Sequence, residues 1–202
     1  MWAPDRAKST LFSRLTEIPL IGHAFGVSNE QEDGYFQVYT GEGKGKTTAA
    51  LGLALRASGR GLPVYIGQFM KGQDYGELHA LPKLPGVTHE QYGDPGWVYK
   101  GKITEAQRAR AHEGLARARE ALYSGKYRIV ILDEINMAVW FELISLEEAL
   151  ELVEKRPRKV ELIFTGRRAD PQVLEQADLV TEMREVKHYY SQGVPARKGI
   201  EN

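Results

Sequence analysis

The chain has 202 residues, enough for one domain with a substantial core. Lysine plus arginine and aspartate plus glutamate both number 27, so net charge gives no pointer to nucleic acid or to an acidic membrane. Cysteine is absent, which removes disulfides, thiolate zinc sites and a cysteine nucleophile, and is compatible with a reducing cytoplasmic setting. Residues 1–33 differ in character from the rest. Leu11, Phe12, Leu15, Ile18, Leu20 and Ile21 give a helical spacing that Pro19 interrupts, and the polar run Ser28 to Asp33 reads as an exposed linker. No long unbroken apolar stretch follows a basic start, so a cleaved secretory signal is not expected, and no run approaches the ~20 residues of a membrane span. Residues 1–33 are therefore expected to form an N-terminal arm and linker that packs on its own domain or on a second subunit. Residues 34–202 are expected to form one domain with a C-terminal tail.

Tyr35 to Tyr39 reads as a strand, and the segment after Thr48 reads as a helix with Ala50, Leu53 and Ala57 on one face, stopped by Gly59 and Gly61. Between them lies Thr40-Gly41-Glu42-Gly43-Lys44-Gly45-Lys46-Thr47-Thr48. A glycine-rich turn opening a helix presents backbone N–H groups and the positive end of the helix dipole to an anion. Lys46 can reach the outer phosphates, and the Thr47 hydroxyl can sit on a phosphate-bound magnesium. The usual phosphate-loop spacing puts its first glycine at position 40. This chain has threonine there and glycine one residue later, at Gly41.

Val64 to Phe69 is a short buried strand. Thr104 with Gln107 forms a capping box that starts a long helix, lined by Ala111, Leu115, Ala118 and Leu122 and ended by Gly125. Arg108, Arg110, Arg117 and Arg119 fall on its solvated side. Ile129 to Leu132 is a doubly buried strand that ends in Asp133 and Glu134. Ser145 with Glu148 caps the next helix, Val160 to Thr165 is a further strand, Asp170-Pro171 starts a short helix, and Leu179 to Met183 is the last strand. Strands alternating with helices predict an α/β fold of the phosphate-loop NTPase type, a mostly parallel sheet with helices on both faces. Ligands of such sheets sit at the strand C-terminal ends, where Thr40, Gln68, Asp133 and Thr165 fall. Asp133 is the expected partner of Thr47 at a magnesium or manganese ion. Glu134 could help the metal, orient a water or cap a helix. No Ser-His-Asp arrangement and no metal-ligand spacing of the five histidines is apparent. Composition and spacing leave phosphoryl transfer, hydrolysis and attack at the sugar all open.

Five segments narrow the choice: TGEGKGKTTAALGLALRASGRG from Thr40, QFMKG from Gln68, VILDEI, FTGR from Phe164, and VKHYYSQGVPARKGIE at the C-terminus. In their order and gaps they resemble the ATP:corrinoid adenosyltransferases of cobalamin salvage, over roughly Gly34 to Glu201. The family's loop carries its glycine where this chain has Gly41. The resemblance implies that cobalt(I) of a reduced cobalamin or cobinamide-type corrinoid attacks the 5′ carbon of ATP and that tripolyphosphate leaves. No protein nucleophile is then needed. It implies that Thr40 to Thr48 and Arg167 bind ATP, with Arg168 beside them either on the nucleotide or in a solvated loop. It further implies that Thr47, Asp133 and Glu134 hold the metal, and that Trp97, Gln68 and Tyr92 meet the corrinoid. One departure stands out: an aromatic-x-aromatic pair expected in the loop after Gly93 falls here on Pro95 and Trp97. A homodimer and a flavoprotein reductase as partner follow from the same resemblance. A nucleoside-kinase-like phosphotransferase and a nucleotide-gated binding module are the competing readings.

Overall fold

The computed structural model of the protein describes residues 33–96 and 98–201. Its elements in chain order are β1 (Phe36–Thr40), α1 (Lys46–Ser58), β2 (Val64–Phe69), α2 (Glu77–Ala80), β3 (Val87–Tyr92), α3 (Glu105–Tyr123), β4 (Ile129–Asp133), α4 (Ile135–Trp140), α5 (Leu146–Glu154), β5 (Glu161–Thr165), α6 (Pro171–Glu175) and β6 (Leu179–Glu182). Short 3-10 turns follow at Leu81–Lys83 and Tyr189–Gln192. The strands form one six-stranded sheet in the order β3-β2-β4-β5-β1-β6. Every pairing in it is parallel. This is the expected α/β class.

Alternation along the inner strands divides the core between two faces. Val130 and Leu132 join Phe36, Val38, Leu162 and Phe164 in a cluster with α3, α4 and α5. Ile129 and Ile131 join Val64, Ile66 and Ile163 in a second cluster against α1. Both capping boxes form as read: Thr104 accepts from Gln107 N, Ser145 accepts from Glu148 N, and each N3 side chain returns to the cap's own N–H. The arginines of α3 lie at its surface on specific acceptors. Arg117 meets Glu90, Arg119 meets Glu151, Arg110 meets Asp94, and Arg108 donates to the Glu142 carbonyl.

Three elements were not foreseen: the single-turn α2, β3 and α4. β3 reads Val-Thr-His-Glu-Gln-Tyr and bonds only to β2, so as an edge strand it carries no doubly buried apolar run. α4 starts immediately after β4 because Glu134 takes the left-handed conformation (φ 61°) and turns the chain within one residue. The registers align the polar strand ends: Gln68 lies beside Asp133, and Tyr39 beside Thr165. Among the described residues no helix is long and apolar enough to cross a membrane.

Candidate active site

The glycine pattern of the loop has a steric cause. β6 and the chain that follows it run directly against the loop: Met183 N donates to the Thr40 carbonyl (2.8 Å), and Gly43 N donates to the Met183 carbonyl (2.7 Å). Gly41 has φ +95°, and a Cβ there would lie 2.5 Å from the Met183 oxygen. A Cβ at Gly43 would lie 2.7 Å from the same atom. Glycine is thus required at positions 41 and 43 by the neighbouring backbone. Thr40 needs no such freedom, because it is still the last residue of β1. Its hydroxyl accepts from Ala169 N at 3.4 Å.

Gly45 (φ 119°) starts α1 without a side-chain cap, so the helix N-terminus is left to an incoming anion. Lys46 is buried and folds back onto its own loop, donating to the carbonyls of Gly41 and Gly43 at 2.7 Å each. Burial lowers the pKa of its ammonium.

Behind the loop, four donors converge on one carboxylate. Asp133 is 1% exposed; its Oδ1 accepts from Thr47 Oγ1 (2.9 Å) and Thr165 Oγ1 (2.5 Å). Its Oδ2 accepts from Lys71 Nζ (2.7 Å) and Gln68 Nε2 (3.1 Å). β5 lies between the loop strand and β4, which is why Thr165 reaches Asp133. Burial works to raise the Asp133 pKa, but Lys71 and the two hydroxyls outweigh it and hold the carboxyl below the usual value. Lys71 shows the mirror effect: burial opposes its charge, and Asp133 carries its pKa above the usual lysine value. At Glu134, burial first and then the Asp133 charge push the carboxyl up.

A polar cleft of about 460 Å³ opens over this constellation, walled by the loop from Glu42 to Thr48 and by Lys71, Glu134 and Arg167. The C-terminal tail closes it with His188, Gly199, Ile200 and Glu201. A second recess of about 380 Å³ adjoins it and is largely apolar, with Met70, Val98, Met137 and Phe141 in its wall. Lys71, Tyr75, Glu134 and Arg167 line both spaces.

The family model for the ATP:corrinoid adenosyltransferases BtuR/CobO/CobP matches residues 32–202. The chain belongs to this family. Corrinoid adenosyltransferases of Escherichia coli K12 and of Pseudomonas aeruginosa are 37% and 33% identical to it, over 85% and 84% of this chain and 87% and 84% of theirs. Corrinoid adenosyltransferase CobA of Salmonella typhimurium is 36% identical over 85% of this chain and 87% of its own. Among solved structures, the cytoplasmic domain of EssC shares 18% identity over 82% of this chain and 34% of that one, at a TM-score of 0.49. That likeness is too distant to add to what the strand order establishes.

For an adenosyltransferase the assembled site both keeps and moves expected residues. Gly43 to Thr48, Glu42, Glu134 and Arg167 all face the cleft, and Asp133 stands directly behind Thr47. Thr40 and Gly41 shape the loop from below rather than lining the cleft. Gln68 is fully buried, its amide N on Asp133 and Glu77 and its amide O accepting from Gln91 and paired with His89. Its side chain is enclosed at the end of β2 and braces Asp133. Tyr92 is likewise a core residue. Its ring packs on Phe69 and over Gly114, and its hydroxyl donates to Glu90. β3 turns that side chain under α3. Trp97 lies outside the described residues. Arg168 stacks on Trp140, away from the cleft. Lys71, Tyr75, His188 and Glu201 were missed as site residues, although Lys71, His188 and Glu201 sit in motifs that carried the resemblance.

Proposed function

We propose that the polar cleft seats the triphosphate of ATP and that the adjoining apolar recess admits the nucleoside end and the approaching corrinoid. Members of this family are enzymes that transfer the adenosyl group of ATP to a corrinoid. The observation that carries the assignment of this site is the shared wall of Lys71, Tyr75, Glu134 and Arg167, which joins a phosphate cradle to an apolar space. A phosphotransferase needs its acceptor at the outer phosphate. Attack at the 5′ carbon instead needs open space at the nucleoside end of the triphosphate.

In the reaction, cobalt(I) supplies the electron pair of the new Co–C bond. The C5′–O bond breaks, and its electrons leave on tripolyphosphate. The protein supplies alignment and charge stabilisation. Gly43 to Thr48 and Lys46 would hold the phosphates, and Arg167 would meet the charge that develops on them. Thr47 Oγ1 and the Asp133 carboxylate are hard oxygen donors 2.9 Å apart, a set that suits magnesium or manganese with water and phosphate oxygens completing the shell. Glu134 stands close enough to the cleft to orient a metal-bound water. When bound, the divalent ion would supply positive charge to the departing triphosphate.

The proposal extends to a homodimer, to a separate flavoprotein that reduces the corrinoid, and to a cytoplasmic setting, all supported by the family resemblance. The domain reading of 1–33 as an arm and 34–202 as the catalytic unit is supported by the family match from residue 32. The deciding experiment supplies ATP, magnesium and chemically reduced corrinoid under anaerobic conditions. Phosphorus NMR and the corrinoid spectrum should report tripolyphosphate and an adenosylated corrinoid in equal amounts. ADP and phosphate as sole products would overturn adenosyl transfer, and ADP formed together with a phosphorylated acceptor would favour the nucleoside-kinase-like alternative.

A further inference from the structure

Lys71 occupies the position in which a metal ion would be expected. It follows β2 after Met70, whose left-handed backbone (φ 58°) turns the lysine back across the strand ends. Its ammonium lies 2.7 Å from Asp133 Oδ2, 3.3 Å from Thr47 Oγ1 and 3.6 Å from Glu77 Oε1. Asp133 and Thr47 are the two residues whose oxygens suit the divalent ion. An ammonium among them neutralises the buried carboxylate and repels a second cation. The same side chain lines both the polar cleft and the apolar recess, and so stands at their junction. If the triphosphate fills the cleft and the nucleoside the recess, that junction holds the oxygen between C5′ and the first phosphorus. This oxygen gains negative charge as the C–O bond breaks.

We propose that Lys71 is a displaceable counter-ion: it holds Asp133 and Thr47 in the nucleotide-free enzyme, keeps free divalent cations out, and transfers to the leaving triphosphate when metal and nucleotide enter together. The transfer exchanges hydrogen bonds only, with no covalent change at the lysine. Four negative charges on ATP provide the attraction that Asp133 provided before. The inference rests on the proposed seating of ATP. It also makes a claim about the empty enzyme that does not depend on catalysis.

The test measures manganese binding to nucleotide-free protein by electron paramagnetic resonance, for wild type, Lys71→Met and Lys71→Arg. Removing the ammonium should tighten manganese binding by about tenfold or more, whereas Lys71→Arg should stay near wild type. In the adenosyltransferase assay Lys71→Met should lose about 100-fold in kcat with the KM for ATP changed by only a few fold, because the contact strengthens as charge develops. Unchanged manganese affinity in Lys71→Met would overturn the counter-ion role. A loss confined to KM would overturn the role at the leaving group. Should Lys71→Met fail to fold, Lys71→Gln, which keeps a donor to Asp133 without the charge, carries the same comparison. Altered manganese binding in a protein that makes only ADP would retain the counter-ion and reject the adenosyl-transfer reading, so the two failures are separable.

Discussion

Replacing Asp133 by asparagine isolates charge from shape at the centre of the site. The carboxylate accepts from Thr47, Thr165, Lys71 and Gln68 and is 1% exposed. An amide fits the same volume, and it has one good orientation. Its oxygen faces Lys71 Nζ and Gln68 Nε2, which can only donate, the Gln68 amide being held in place by His89 and Gln91 on its oxygen, while its NH₂ faces the two threonine hydroxyls, which can rotate and accept. Hydrogen bonds are then nearly conserved, and the change is an ammonium left without its anion. Breaking one side of a buried pair costs about 3–5 kcal/mol. Glu77, 3.6 Å from the same ammonium, keeps the value at the low end, about 3 kcal/mol. For a chain of this size that corresponds to a fall in Tm of about 6–12 °C, measured by calorimetry without nucleotide. Adding Lys71→Met to Asp133→Asn should recover more than half of the loss, because the orphaned charge goes with it. A fall under about 2 °C for Asp133→Asn, or no recovery in the double variant, would refute the pairing.

The pH dependence has a definite sign. A carboxyl held below its ordinary value of 3.8 stabilises the fold above that pH, and the gain is lost as pH falls through the lower folded value. The stability gap between wild type and Asp133→Asn should therefore be level across neutral pH and close only below about pH 4, as read by denaturant titration at stepped pH. Gly41→Ala places a side chain at φ +95° and 2.5 Å from the Met183 oxygen, and should cost about 2 kcal/mol or more together with most of the ATP affinity, measured by urea unfolding and calorimetric titration. Glu201→Ala removes the acceptor shared by Lys44, Arg197 and Tyr189. It should leave global unfolding nearly unchanged, speed proteolytic clipping after Met183, and raise the KM for ATP several fold.

Strand ends and helix starts could be read ahead of the structure because each has a local cause. Branched apolar runs stop at Asp133 and Thr165, and the Thr104 and Ser145 boxes need only residues three apart. The phosphate loop was equally local, but its glycine pattern was not. The need for glycine at positions 41 and 43 comes from Met183, some 140 residues downstream, and no window of sequence contains both partners. The same holds for Lys71, whose meaning depends on Asp133 and Thr47 arriving from other elements. Gln68 was placed at the right strand end, but its hydrogen bond to Asp133 was not legible there. A polar residue ending a buried strand can face the ligand or face the next strand, and only register decides. β3 escaped notice because its polar side chains bond to Gln68, Tyr65 and Arg117 instead of forming an apolar stripe.

These long-range contacts share one geometric origin. The strand that follows α6 returns beside β1, so the tail must leave the sheet over the phosphate loop. Backbone atoms of Met183 occupy the space that side chains at positions 41 and 43 would need, and the tail continues to Glu201, which accepts from Lys44 in the loop itself. The loop is thereby clamped from the strand side by β6 and at its tip by the C-terminus. Its helix N-terminus and Lys46 remain turned toward the cleft. On the opposite side Lys71 pairs with Asp133 and closes its charge balance. In the proposed seating the triphosphate would lie along the loop, with Met70, Met137 and Phe141 toward the nucleoside end. In the proposed reaction, a loop clamped this way would hold its triphosphate as the group to be released.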